Sequence, residues 1–283
     1  MTSLFIEPAD ISAVVDVALA EDIGRGDLTT RATVPEGARL SAVFAARQSM
    51  VVSGMPVVEE IIRRLAPEVS LIIDSPDGTE VADGGVLGRV DGLAEGILTA
   101  ERTALNTLQF LSGIATLTRA YVKAIEGTGA TLLDTRKTVP GLRNLSKYAV
   151  RCGGATNHRM RLDDGVLIKD NHIAVAGSIG EAVRQAKAAD LGGVKIQAEC
   201  DTLEQVREAL EAGADSLLLD NMSTVILSEA VAFAAKRIPL EASGGVSLET
   251  IRPIAETGVD FISVGAITQR APAVDIGLDI AWV

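Results

Sequence analysis

Between Asp134 and His172 the chain concentrates residue types that handle anions. The stretch holds eight Lys or Arg (Arg136, Lys137, Arg143, Lys147, Arg151, Arg159, Arg161 and Lys169) against four acids (Asp134, Asp163, Asp164 and Asp170), a local charge of +4. The whole chain, with 26 basic and 38 acidic residues, carries -12, which leaves -16 for everything else. Both histidines, His158 and His172, fall in the same stretch. A basic island in an acidic protein suits a pocket for a small polyanion, although charge alone would equally describe a solvated basic face. Two carboxylates, Glu199 and Asp220, close successive apolar runs further on. Such a pair suits a magnesium ion carried in with pyrophosphate, or the electrostatic stabilisation of a cationic sugar in a transition state. Ser243-Gly244-Gly245 and Val264-Gly265-Ala266 are glycine turns after apolar runs, where backbone N–H groups can approach a phosphate. A helix expected from near Ser247 would add its dipole.

These groups work together only if the fold gathers them. Apolar runs ending in polar or glycine residues occur at 131–137, 165–172, 194–200, 216–221, 239–245 and 259–266. Helical periodicity occupies 179–189, 202–213 and 248–258 between them. The later units recur at about 21–25 residues, the pitch of a parallel β/α barrel. Barrels place their chemistry at the carboxyl ends of the strands. Those ends offer Arg136 and Lys137 with Thr135 beside them, then Lys169, Glu199, Asp220, the Ser243 turn and the Gly265 turn. An open doubly wound sheet is the competing architecture, but no GxGxxG and no GxxxxGK[ST] follows any strand. The first third differs in character. Helices are expected at 10–21 and 55–66, strands near 40–46 and 69–74, and a turn-rich sheet over 77–92. The last stretch is patterned like a lipoyl carrier, yet 70–100 contains no lysine to carry the group. A long helix over 96–124, with a break at Gly113, joins the two parts.

Composition narrows the function classes. Aromatic residues make up 3% of 283, too few for single-strand nucleic-acid stacking, and the net charge of -12 opposes phosphate-backbone binding. No apolar run approaches the roughly 18 residues of a membrane span. The opening MTSLFIEPADIS places Glu7 and Asp10 where a signal peptide would be basic and then apolar, so a cytoplasmic enzyme is expected. Cys152 and Cys200 have no metal-ligand spacing and read as small buried hydrophobes in a reducing compartment.

Taken together, DTRKTVPGLRNLSKYAVRCGGATNHR at 134–159 and LDDGVLIKDNHI at 162–173 resemble the signature of the quinolinate phosphoribosyltransferases. EDIGRGDLTT at 21–30, ERTALNTLQFLSGIAT at 101–116, LLLDN at 217–221 and DFISVGAITQ at 260–269 extend the resemblance from Glu21 to Asp279. It implies an α/β protein: an incomplete parallel β/α barrel over 116–269 that carries the active site, behind an N-terminal α+β sandwich domain over 1–115 joined by the tail 270–283. The implied reaction couples quinolinate to phosphoribosyl pyrophosphate (PRPP) with magnesium and no organic cofactor, releasing nicotinate mononucleotide, pyrophosphate and carbon dioxide. Arg136, His158, Arg159 and Lys169 would meet the quinolinate carboxylates, and Lys137, near the pyrophosphate, joins Glu199 and Asp220 as the catalytic set. Those two carboxylates would face the ribose and the metal. Ser243, Gly244, Gly245, Gly265 and Ala266 would hold the 5'-phosphate. Arg102 would reach in from the other subunit of a homodimer, the assembly the resemblance implies. Neither nucleic acid nor membrane is an expected partner.

The chain departs from the family pattern at Gln197, commonly glutamate, at Ala155, commonly a third glycine, and at Arg161, often a small residue. A sister group associated with molybdenum transport shares part of the TRKT pattern, but KDNHI at 169–173 favours the quinolinate enzymes. A Schiff-base aldolase using Lys137 or Lys169 would need a depressed lysine pKa, which a site crowded with anions opposes.

Overall fold

A computed structural model describes residues 4–280. In chain order the first elements are α1 (Pro8–Ile23), α2 (Leu28–Thr33), β1 (Arg39–Ala46), β2 (Met50–Val51), α3 (Met55–Leu65), β3 (Ser70–Ile73), β4 (Glu80–Val81), β5 (Val86–Leu93) and α4 (Ala94–Ala124). There follow β6 (Thr131–Leu133), α5 (Arg143–Cys152), β7 (Val166–Ile168), α6 (Asp170–Ala176), α7 (Ile179–Ala188), β8 (Ile196–Cys200) and α8 (Leu203–Ala212). The chain ends with β9 (Ser216–Asp220), α9 (Thr224–Ala234), β10 (Leu240–Ser243), α10 (Ile251–Ala255), β11 (Phe261–Ser263), α11 (Ala266–Gln269) and β12 (Ile276–Ile280). Two compact units divide the described residues. One is drawn from Met1–Arg119, Thr138–Gly154 and Ala266–Val283, the other from Ala120–Lys137 and Ala155–Gly265.

The first unit is built on an antiparallel sheet of order β12-β1-β5-β3. Phe44 and Leu87 fill its buried face, and α4 contributes Ile97, Leu108 and Leu111 to the unit's core. The tail pairs back through β12, from Ala42 opposite Ile280 to Ala46 opposite Ile276, while 281–283 of the expected tail lie outside the described residues. The break expected at Gly113 is absent, since α4 runs through it. A Cβ there would come 2.2 Å from the Pro272 carbonyl oxygen, so this glycine serves a close backbone approach rather than a kink. Asp77 supplies the cap that α3 lacks at Gly54: its carboxylate accepts the N–H groups of Gly54 at 2.7 Å and Met55 at 3.0 Å, and the Tyr148 hydroxyl at 2.8 Å. Thr138–Gly154, which the sequence placed in the barrel, belongs to this unit. The reason is the apolar stripe of α5, whose Tyr148 and Cys152 pack with Val51 and Ala115. The compact unit that holds the barrel strands is drawn from Ala120–Lys137 and Ala155–Gly265.

The second unit is a six-stranded parallel sheet of order β6-β11-β10-β9-β8-β7. Among the described residues no ladder joins β6 to β7; a single parallel bridge, Leu133 to Thr156, extends the β6 side. The barrel is therefore incomplete among the described residues, as the resemblance implies. Period-two alternation sets its two faces. Ala198, Cys200, Leu217, Leu219, Ala242 and Ile262 are buried on one face, while Glu199, Leu218, Asp220, Glu241, Ser243 and Ser263 share the other. Helix boundaries follow their caps: Thr202 and Gln205 form a reciprocal capping box on α8, and Gly213 ends it in the left-handed region. Sequence periodicity missed α9, because TVILSEAVAFA is apolar on nearly every side and leaves Val225 66% exposed. The helix expected over 248–258 is shorter in the structure. Residues 247–250 form a turn, and α10 begins at Ile251.

Candidate active site

The carboxyl ends of the parallel strands enclose a cavity of about 400 Å³. Its wall is made by Thr135, Arg136, Lys137, His158, Arg159, Leu167, Lys169, Glu199, Leu218, Asp220, Glu241, Ser243 and Ser263. Strand geometry explains the set. Leu167 and Lys169, Leu218 and Asp220, and Glu241 and Ser243 are i, i+2 pairs, so each pair points to one face. Parallel register then places Glu199 beside Leu218, Leu218 beside Glu241, and Asp220 beside Ser243. Thr135, Arg136 and Lys137 follow β6 after the buried Asp134. The cavity thus carries four cations and three carboxylates.

Arg136 and Arg159 are both half-buried. Burial and then the Arg136 charge lower the Arg159 pKa, and the Arg159 Nη1 donates to the Gly165 carbonyl at 2.7 Å. Two guanidiniums held against their own repulsion form a natural seat for a dianion. Across the sheet, the Lys169 ammonium donates to the Glu199 carboxylate, while α8 takes its cap from Thr202 rather than from Glu199. The carboxylate of Asp220 accepts the side-chain amide of its neighbour Asn221.

His158 is held at three points. Its Nδ1 accepts the Arg159 backbone N–H at 2.7 Å, its Nε2 lies 3.3 Å from the Glu241 Oε2, and its own N–H donates to the fully buried Asp134 at 2.8 Å. Glu241 was not singled out from the sequence; the alternation of LEAS, which sets it two residues before Ser243, is the signal that could have found it. Its side chain is 3% exposed. Burial pushes its carboxyl up, but the His158, Ser263 and Gln197 side chains beside it outweigh that effect and hold it below the usual range. Gln197 Nε2 donates to Oε2 at 2.8 Å. An amide fits this place, since a glutamate there would face Glu241 carboxylate to carboxylate at hydrogen-bond distance.

Other expected residues sit differently. His172 does not line the cavity; its Nδ1 accepts the Lys169 N–H at 2.9 Å and closes the first turn of α6. Gly244 and Gly245 follow the lining residue Ser243 with φ of 92° and 60°, and a Cβ on Gly244 would meet Asn221 Oδ1 at 2.2 Å. The glycine turn stands, but the helix dipole expected behind it is reduced to that of the five-residue α10. Gly265 lies against the Lys137 stem, where a Cβ would come within 3.0 Å. Ala266 and Arg102 are not among the lining residues, and Arg102 is exposed on α4. The basic island also divides. Arg143, Lys147 and Arg151 lie on α5 in the first unit, Lys147 fully buried, while Arg136, Lys137, Arg159 and Lys169 line the cavity. Burial pushes both Cys152 and Cys200 thiols up to about 12, in keeping with inert core residues.

Comparison with known proteins bears on the family and the fold. Residues 27–112 match the quinolinate phosphoribosyl transferase N-terminal domain and residues 114–279 its C-terminal domain. The probable nicotinate-nucleotide pyrophosphorylase (carboxylating) of Bacillus subtilis is 41% identical over 260 residues, 92% of this chain and 90% of that protein. The nicotinate-nucleotide pyrophosphorylase (carboxylating) of Mycobacterium leprae is 42% identical over 269 residues, 93% of this chain and 94% of that one. Among solved structures, the Francisella tularensis nicotinate-nucleotide pyrophosphorylase superposes with a TM-score of 0.93 at 39% identity, covering 98% of both chains. Two domain matches spanning nearly the whole chain, relatives of this identity and a shared fold show that the chain belongs to the quinolinate phosphoribosyltransferase family.

Proposed function

We propose that this chain transfers the phosphoribosyl group of PRPP to the ring nitrogen of quinolinate with loss of carbon dioxide, yielding nicotinate mononucleotide and pyrophosphate for NAD synthesis. One observation carries this reading: a single cavity sets Arg136, Lys137, Arg159 and Lys169 against Glu199 and Asp220 at adjoining strand ends. The reaction needs both signs. As the pyridine nitrogen attacks the anomeric carbon, positive charge grows on the sugar and negative charge on the departing pyrophosphate. Glu199 and Asp220 oppose the first change, and Lys137 the second. Arg136, Arg159 and Lys169 hold the two pyridine carboxylates, with the His158 ring beside them. The Ser243 and Gly265 turns receive the 5'-phosphate. Once quaternised, the ring nitrogen stabilises the carbanion left beside it, so decarboxylation requires no organic cofactor.

Magnesium enters this reading with PRPP. Among the described residues no group of three or more His, Cys, Asp or Glu is placed to hold a metal alone. Two oxygen-donor carboxylates, Glu199 and Asp220, fit a magnesium ion whose remaining ligands are phosphate oxygens and water. Bound there, the ion would supply charge neutralisation for the leaving pyrophosphate.

The proposed assembly is a homodimer in which the partner subunit's Arg102 completes each site. Two impaired variants test it, Arg102→Ala and Glu199→Gln, mixed so that subunits exchange. A heterodimer then keeps one site intact in both residues, so activity should recover to about a quarter of the unmodified level. No recovery would show that Arg102 does not act across the interface. Among the described residues no helix is long and apolar enough to cross a membrane, and the two free thiols suit the reducing cytoplasm proposed for this enzyme.

The reaction itself is tested by product analysis with PRPP and magnesium, offering quinolinate and nicotinate in parallel. Nicotinate mononucleotide and carbon dioxide from quinolinate alone are expected. Turnover of nicotinate alone would keep the ribosyl transfer and refute the second-carboxylate seat. No product from either would refute the assignment.

A further inference from the structure

We infer that Glu241 is a positioning residue: from the floor of the cavity it holds the His158 ring in one plane through Nε2, so that the ring and the adjoining Arg159 meet the substrate carboxylates in constant register. The inference rests on the proposed reaction and adds a residue to it. Its basis is geometric. The His158 Nδ1 accepts the Arg159 N–H at 2.7 Å, which leaves the ring proton on Nε2, where Glu241 Oε2 faces it at 3.3 Å. Gln197 donates to the same oxygen from the strand two places along the sheet, fixing the carboxylate in turn. The main chain of His158 is pinned separately, by the buried Asp134, whose second oxygen takes the Asn157 amide at 2.6 Å. Two buried carboxylates therefore hold one residue, one by its backbone and one by its ring.

Stability alone does not account for Glu241. Its Oε1 is buried and has no hydrogen-bond partner. A carboxylate kept for packing would be better replaced by a neutral side chain of similar shape, since a buried charge with one oxygen unsatisfied is a cost to the fold. That cost is understandable if the charge orients a group at the reacting end of the barrel.

Glu241→Gln keeps the shape and removes the charge. The chain has two histidines, so ring nitrogen-15 spectra resolve His158 once a His172→Gln variant assigns the other. In the unmodified protein in mildly alkaline buffer, His158 should show a protonated Nε2 and an unprotonated Nδ1. In Glu241→Gln the Arg159 N–H still holds Nδ1 unprotonated, so the tautomer should persist while the Nε2 resonance shifts with loss of the facing charge. The kcat/KM for quinolinate should fall about tenfold or more, with a smaller change in KM for PRPP and Tm equal or higher. An unmodified His158 ring that averages its tautomers overturns the proposal even if the variant fails to fold. So does a kcat/KM that stays unchanged in a folded variant, whether or not the ring spectrum moves. The spectrum does not require turnover, so failure of the reaction itself would be seen separately, as an unmodified protein that makes no product.

Discussion

Arg136→Ala lowers kcat/KM for quinolinate by about a hundredfold or more, with the melting temperature of the ligand-free protein unchanged or raised. Both halves of this expected result follow from the paired guanidiniums. Burial and then the Arg136 charge lower the pKa of Arg159. Without ligand the two repel, and removing one relieves that repulsion. With quinolinate bound, the same removal leaves a desolvated carboxylate lacking its counter-charge, a loss of about 2.8 kcal/mol for a hundredfold effect. Quinolinate should correspondingly raise the melting temperature of the unmodified protein and fail to do so in the variant at the same concentration. Arg136→Lys should recover only part of the loss, since an ammonium cannot present two parallel donors to a carboxylate. A near-normal kcat/KM in Arg136→Ala would remove the residue from the site.

How far the sequence reveals this site depends on which face of which strand a residue occupies. Lys169, Glu199, Asp220 and Ser243 were legible because barrel strands end in the residues that face the cavity, and their apolar runs mark those ends. Glu241 was not, since it sits inside a run, and nothing local separates a buried inward acid from an exposed one. The basic island misled for a related reason. Charge counted along the chain cannot see that Arg143, Lys147 and Arg151 ride on a helix of the other unit. Gly113 looked like a helix breaker because the glycine cost is local, whereas its cause, the Pro272 carbonyl, comes from far along the chain. Likewise the all-round apolar α9 offers no period to read, and its helical state is set by the β/α alternation around it.

Glu199→Gln should lower kcat by about a hundredfold while leaving KM for quinolinate unchanged or smaller. The split comes from the Lys169–Glu199 ion pair, in which Glu199 is 12% and Lys169 46% exposed. In the proposed site quinolinate would compete with Glu199 for that ammonium. An amide at position 199 gives the lysine up more easily, so substrate binding loses nothing. The transition state fares differently. Positive charge on the ribose then faces an uncharged amide, and the loss of one fixed charge directed at a developing charge is worth about a hundredfold or more. Asp220→Asn, at the end of the neighbouring strand, should lower kcat as well and raise the magnesium concentration needed for half-maximal rate, because it removes one of two oxygen donors proposed for the ion. Steady-state kinetics over a range of quinolinate and magnesium concentrations separate these effects. A fall confined to KM would make Glu199 a binding group rather than a stabiliser of the sugar. Near-normal kcat in both variants would remove the carboxylates from the chemistry and leave the cavity as an anion seat alone.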